Sequence, residues 1–203
     1  AFMHGLDALR AESGIQLIFD EVQCGLGRTG SWFAWEHYGV KPDVITIAKP
    51  IGGGLPLGAM MAHGPVSSGF VPGAHASTFG ANPVACAAAN AFIDEMTDRN
   101  LVAQAAEMGS YISDSLRDLA AKSGAITDIR GKGLMIGFDI TGTASGPASA
   151  GDVQKACLET GGAGFDGLCV STAGPRTVRF LPPLIIGRKE IDAGLEILYT
   201  VLT

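Results

Sequence analysis

Leu17-Ile18-Phe19-Asp20-Glu21-Val22-Gln23 runs an apolar segment straight into two carboxylates. An apolar run that stops abruptly at charge predicts a buried strand, here residues 16–20, with Asp20 emerging at its end. A second run, Val44-Ile45-Thr46-Ile47-Ala48, stops in the same way at Lys49 and is followed by Pro50-Ile51-Gly52-Gly53-Gly54. Asp20 and Lys49 lie 29 residues apart. That interval holds one crossover, so the two strands are expected to run parallel and to bring both charged groups to the same sheet edge. The carboxyl edge of an open α/β sheet is where such folds hold a ligand.

Working outward, Phe2, Leu6, Leu9 and Arg10 keep helical spacing until Ser13-Gly14. Cys24 to Gly30 is a glycine-rich turn, residues 32–38 suit a short helix, and Lys41-Pro42-Asp43 turns the chain into the second strand. A short strand is expected at 58–62. Asn82 and Pro83 form a helix start, N-cap followed by first-turn proline, for an alanine-rich helix over 84–96. Beyond Asp98 the pattern changes. A long amphipathic helix is expected at 101–122, strands at 126–130 and 134–140 around Gly131-Lys132-Gly133, and a Gly/Ser/Ala loop at 141–151. A helix at 152–160 capped by Asp152, strands at 168–171 and 177–181, and a final helix at 189–202 complete the chain. Strands alternating with helices, then an α+β arrangement, make the chain α/β with two domains, 1–98 and 99–203.

Hydrophobic residues are 47% of the chain and charged residues 17%, which suits a core-rich globular protein. A net charge of −6 speaks against nucleic acid as a partner. No uninterrupted apolar stretch reaches membrane-spanning length. Cys24, Cys86, Cys157 and Cys169 form no CxxC pair, which fits a reducing, cytoplasmic setting and gives no metal-site spacing. His37, His63 and His75 likewise lack metal partners at ligand spacing. Gly52-Gly53-Gly54 has neither the lysine and hydroxyl of a P-loop nor the spacing of a dinucleotide fingerprint.

A lysine at a strand end is by default a solvated surface group. Here the apolar run before Lys49 and the glycines after it predict a pocket that strips solvent from the amine and lowers its pKa. An amine able to condense with an aldehyde, beside a carboxylate able to pair with a protonated pyridine nitrogen, suits pyridoxal phosphate (PLP).

Further motifs sharpen this. Asp20-Glu21-Val22-Gln23 with Gly25-Leu26-Gly27-Arg28-Thr29-Gly30, Pro42-Asp43 through Lys49, Ser77-Thr78-Phe79-Gly80-Ala81-Asn82-Pro83, Ile129-Arg130-Gly131-Lys132-Gly133-Leu134-Met135, and Val178-Arg179-Phe180-Leu181-Pro182-Pro183-Leu184 occur in this order. Together they resemble the class III (subgroup II) PLP-dependent aminotransferases over nearly the whole chain. The resemblance implies PLP-transferase fold type I: the remainder of a large mixed/parallel-sheet domain, then a small C-terminal α+β domain. Members of that family are roughly twice as long, so the chain is expected to be a C-terminal half. Without the other half it could lack activity of its own.

The same resemblance implies roles. Lys49 is the Schiff-base lysine and proton shuttle, Asp20 the partner of the pyridine nitrogen, Val22 a packing surface for the ring, and Gln23 a hydrogen-bond partner of the phenolic oxygen. Thr78 reaches a phosphate, that of the other subunit in a homodimer. Arg179 grips the substrate α-carboxylate. Implied substrates are an amino acid and a 2-oxo acid: an ornithine-type donor, N-acetylornithine foremost on the stretch Ala173-Gly174-Pro175-Arg176-Thr177-Val178-Arg179-Phe180, and 2-oxoglutarate. Ornithine, succinylornithine and 4-aminobutyrate are the alternative donors. Glu21 is expected either to support Asp20 from behind or to be structural, and Arg176 to lie in a loop. Gly161-Gly162-Ala163-Gly164-Phe165-Asp166-Gly167 is longer than the family's linker and bears on specificity.

Overall fold

The computed structural model describes residues 1–141 and 147–203. The residues fall into two compact units, Ala1–Val102 and Ala103–Thr203.

The first unit opens with α1 (Phe2–Ser13), ended by Gly14 in the left-handed conformation. β1 (Ile18–Asp20) pairs parallel with β2 (Val44–Ile47), and β2 pairs antiparallel with β3 (Ala59–Ala62). The sheet is therefore mixed, in the order β1-β2-β3. Asp43 ties the two parallel strands together at their start. Its Oδ2 accepts from the Leu17 N–H at 2.8 Å, while its own N–H donates to the Leu17 carbonyl at 2.9 Å. A short 3-10 helix, Ala34–Tyr38, fills the crossover. α2 (Pro83–Asp98) starts as its sequence predicts: Asn82 Oδ1 accepts from the N–H groups of Val84 and Ala85. Leu26, Ile47, Ile51 and Ala89 form the unit's core cluster.

One expectation fails here. β1 was expected to be buried, yet Ile18 is 63% exposed. Side chains alternate along the strand: Leu17, buried, and Phe19, half-buried, share the covered face, while Ile18 and Asp20 share the face left exposed among the described residues.

The second unit is built on a four-stranded antiparallel sheet, order β4-β5-β7-β6: β4 (Ile126–Lys132), β5 (Met135–Ile140), β6 (Ser171–Ala173) and β7 (Thr177–Phe180). α3 (Leu101–Ser123), α4 (Ala150–Glu159) and α5 (Arg188–Leu202) supply its helices. Leu116, Leu134, Phe138, Val153, Val178 and Leu198 are fully buried in one core, and Phe138 meets Phe180 edge-on. Burying large apolar side chains together is worth roughly 1.5–3 kcal/mol each before entropy is counted.

Three boundaries differ from the sequence expectation. Ser149, not Asp152, caps α4. Its hydroxyl accepts from the Asp152 N–H, and Asp152 accepts back from the Ser149 N–H, a reciprocal capping box. β6 begins at Ser171 rather than at 168, because Leu168 is spent on a hydrogen bond from its N–H to the Cys157 carbonyl at 2.7 Å. β4 runs on through Gly131-Lys132, leaving only Gly133-Leu134 as the turn into β5. The expected loop at 141–151 lies in part outside the described residues, at 142–146.

The glycine-rich segment 161–167 folds on itself. Gly162 and Phe165 exchange both backbone hydrogen bonds at 2.9 Å across Ala163 and Gly164, which have φ of 51° and 85°. Positive φ at both central residues is the hallmark of a two-residue hairpin turn.

Candidate active site

The carboxyl ends of β1 and β2 carry two of the predicted groups side by side. Asp20 is in register with Thr46, and Lys49 follows three residues later at the start of a short 3-10 helix, Lys49–Gly52. Asp20 Oδ1 accepts from the Val22 N–H at 2.9 Å and from the Thr46 hydroxyl at 3.2 Å. Its second oxygen has no hydrogen-bond partner among the described residues. Lys49 has φ of 52°, a left-handed backbone that a residue with a Cβ adopts at a cost of about 1–2 kcal/mol. Its amine makes no hydrogen bond or ion pair among the described residues.

Lys49 is nonetheless exposed, as is Asp20. The expected desolvation of the amine is not built by this unit. Gly53 and Gly54 turn left-handed and carry no side chain to cover it, and a Cβ at Gly53 would come within 3.1 Å of the Ala88 carbonyl oxygen of α2.

Glu21, next to Asp20, does a different job. It is buried, and its two carboxylate oxygens accept from the N–H groups of Ala34 and Trp35, both at 3.0 Å. It pins the first turn of the 3-10 helix in the crossover, as the sequence expectation held. Gly25 is required beneath it: a Cβ there would stand 2.8 Å from the Glu21 carbonyl oxygen. Cys24 Sγ also donates to Glu21 at 3.2 Å. Burial, and then that bond to a carboxylate, push the Cys24 thiol from the ordinary 9.0 up to about 12. Thiolate is the reactive form and is populated only as pH approaches the raised value. Iodoacetamide labelling of Cys24 at pH 8 is therefore expected to run roughly a thousandfold below that of an ordinary cysteine, rising about tenfold per pH unit. Peptide mapping that finds Cys24 labelled as fast as exposed Cys169 would contradict this.

Val22 is half-buried and Gln23 exposed, both in the turn that follows β1. Thr78 sits in the exposed loop before α2 and makes no hydrogen bond to Asp20, Gln23 or Lys49. The structure thus groups Asp20, Val22, Gln23 and Lys49 about one pair of strand ends.

Arg179 belongs to the second unit, on β7. Val178 and Phe180 point to the core, so Arg179 lies on the other face. Its Nε is buried without a partner. Arg176 lies in the β6–β7 turn, as expected, and donates from Nε to the Ile140 carbonyl at 3.4 Å. A cavity of about 410 Å³ in this unit, lined by Phe165, Leu168, Phe180 and Ile191, contains none of the predicted site residues and is chiefly apolar. Among the described residues no cluster of His, Cys, Asp and Glu could hold a metal ion.

The arrangement fits PLP at its ring and aldehyde end. It offers an amine, and a carboxylate with one oxygen already oriented by two donors and the other open to a pyridinium N–H.

The family model for aminotransferase class III matches residues 1–202. The chain belongs to aminotransferase class III. This is a family of PLP-dependent enzymes. The chain is 41% identical to the acetylornithine aminotransferase of Methanothermobacter thermautotrophicus, covering 100% of this chain and 49% of that protein. The acetylornithine aminotransferase structure from Elizabethkingia anophelis superposes with a TM-score of 0.86 at 31% identity, over 99% of this chain and 49% of that one. The ornithine aminotransferase of Plasmodium yoelii gives the same TM-score, 0.86, at 29% identity, over 99% of this chain and 51% of that one. The chain spans about half the length of the curated relatives it matches. The fold is that of the PLP-dependent aminotransferases, fold type I, as the sequence predicts.

Proposed function

We propose that this chain supplies the catalytic amine and the ring-nitrogen partner of a PLP-dependent transaminase. The enzyme moves an amino group from an ornithine-type donor, N-acetylornithine foremost, to 2-oxoglutarate by a ping-pong sequence. The observation that carries the reading is the pair of adjacent parallel strand ends, with an unpartnered, strained Lys49 beside an oriented Asp20. The relative at 41% identity, named acetylornithine aminotransferase, supports the choice of donor.

When bound, PLP supplies an electron sink that makes the substrate Cα–H acidic. Asp20 keeps the ring nitrogen protonated, and the Val22 N–H and Thr46 hydroxyl hold the carboxylate for that task. Val22 packs on a ring face and Gln23 bonds the ring hydroxyl oxygen. Lys49 takes the proton from substrate Cα and would return it at the cofactor's C4′ carbon, on the other side of the transferred nitrogen. Thr78 donates to the phosphate held by the partner of a homodimer. Arg179 takes the α-carboxylate; it is an unpaired guanidinium with a planar fork of donors. The protein works in the cytoplasm with its four cysteines free.

A half-reaction screen on the full-length protein tests this. N-acetylornithine, ornithine, succinylornithine and 4-aminobutyrate are added separately, and the visible band of the bound cofactor is followed. Rapid bleaching by N-acetylornithine, at least tenfold above the others, is the expected outcome. Preference for ornithine or 4-aminobutyrate would keep the reaction class and overturn the donor. A protein that neither binds PLP nor changes its spectrum would overturn the reading as a whole.

A further inference from the structure

In the second unit, one row of residues crosses the sheet on the face opposite the core. Arg130 pairs with Gly137, Gly137 with Arg179, and Arg179 with Ser171. Residues directly opposite each other in antiparallel strands project to the same face, with Cβ atoms about 4.5–5.5 Å apart. The two arginines of this row are treated differently. Arg130 is neutralised: it reaches Asp128 Oδ2 at 2.8 Å, Asp139 Oδ1 at 3.0 Å and Thr177 Oγ1 at 2.9 Å. Arg179 meets no anion and no acceptor among the described residues.

The unsatisfied groups fall at the same spot. Among the described residues, the buried side-chain nitrogen and oxygen atoms without a hydrogen-bond partner are Arg179 Nε and Ser171 Oγ. They belong to directly opposed residues. One is an N–H donor, the other a hydroxyl that accepts. Leaving both unmatched in the interior is costly, and directly opposed residues on one face are immediate neighbours. On the other flank of Arg179, Gly137 carries no side chain at all. Ser171 is therefore the cross-strand side chain able to set the plane of the guanidinium.

We propose that Ser171 is a positioning residue for carboxylate binding: its hydroxyl accepts from Arg179 Nε–H when ligand is held, leaving the two Nη groups to bind the carboxylate bidentately. The inference rests on the reading of Arg179 given above. It makes Ser171 a determinant of substrate affinity that never touches the reacting atoms.

The test uses the full-length, PLP-loaded protein and calorimetric titration with 2-oxoglutarate, alongside steady-state kinetics. Ser171→Ala is expected to raise the Kd and KM for 2-oxoglutarate about three- to tenfold with kcat within twofold. Ser171→Thr, which keeps the hydroxyl, should stay within twofold in both. In an Arg179→Ala background, already weakened, Ser171→Ala should add nothing further, since the hydroxyl acts through the guanidinium. If Arg179→Ala leaves Kd unchanged, the reading of Arg179 fails and this one with it. If Arg179→Ala weakens binding but Ser171→Ala does not, only the role of Ser171 falls. An equal loss from Ser171→Ala in both backgrounds would also overturn it, because the hydroxyl would then act independently of Arg179. Equal thermal midpoints for the Ser171 variants separate positioning from folding.

Discussion

Lys49→Ala in the full-length protein is expected to lower transamination by roughly 10⁴-fold or more while the protein still folds. The size follows from the two tasks assigned to one amine. It is the nucleophile toward the cofactor aldehyde, and it is the base at substrate Cα, a role worth roughly 10²–10⁴-fold by itself. Folding should survive, because the side chain is exposed and makes no hydrogen bond or ion pair among the described residues. The left-handed backbone at φ 52° strains alanine about as much as lysine. A second readout does not depend on turnover. After borohydride reduction and denaturation, the cofactor should stay covalently attached to the wild-type chain, seen as added mass on the peptide containing Lys49, and should wash away from the variant. A variant that keeps turnover within tenfold, or a reduced adduct on another lysine, would remove Lys49 from the centre of the reaction.

What could be read from the sequence was local. The N-cap at Asn82 with Pro83 behind it, the left-handed stop at Gly14, and the parallel pairing of two apolar runs on either side of one crossover all depend on residues close in sequence or on that crossover. Asp20 and Lys49 were legible as a pair for the same reason. What could not be read depended on neighbours far along the chain. The exposure of Ile18 reflects which face of the sheet other elements cover among the described residues, and apolar composition does not say that. Lys49 was expected to be desolvated by its flanking residues, but flanking residues do not wall a pocket; distant ones do. Asp152 reads as a cap because aspartate caps helices well. The hydroxyl three residues earlier forms the other half of a capping box, and the pair Ser149/Asp152 is visible in the sequence once that spacing is sought. Ser171 carried no sequence signal, since its interest arises only from lying opposite Arg179 in register.

Gly109→Ala should destabilise the second unit by about 1–3 kcal/mol, and Gly109→Val by more. The prediction runs against local reasoning. Gly109 lies inside α3, where glycine is about 1 kcal/mol worse than alanine, so on propensity alone the substitution should help. The tertiary structure reverses the sign. A Cβ at Gly109 would stand 2.0 Å from the Gly133 carbonyl oxygen and 2.3 Å from its carbonyl carbon. Those atoms are backbone, in the two-residue turn between β4 and β5, and cannot swing aside as the end of a side chain can. The turn itself has little freedom. Gly133 has φ of 51°, and Gly131 lies so close to the partner strand that a Cβ there would stand 2.1 Å from the Met135 carbonyl oxygen. Relief therefore requires the helix to move off the hairpin, which would loosen the packing of Met108, Ile112 and Leu134, all buried in the same cluster. Valine enlarges the clash and adds a β-branched residue in mid-helix, so it also pays in propensity. Urea unfolding of the full-length protein, monitored by circular dichroism, measures both variants. An alanine variant as stable as the wild type, or more stable, would mean that α3 does not approach the β4–β5 turn at backbone contact.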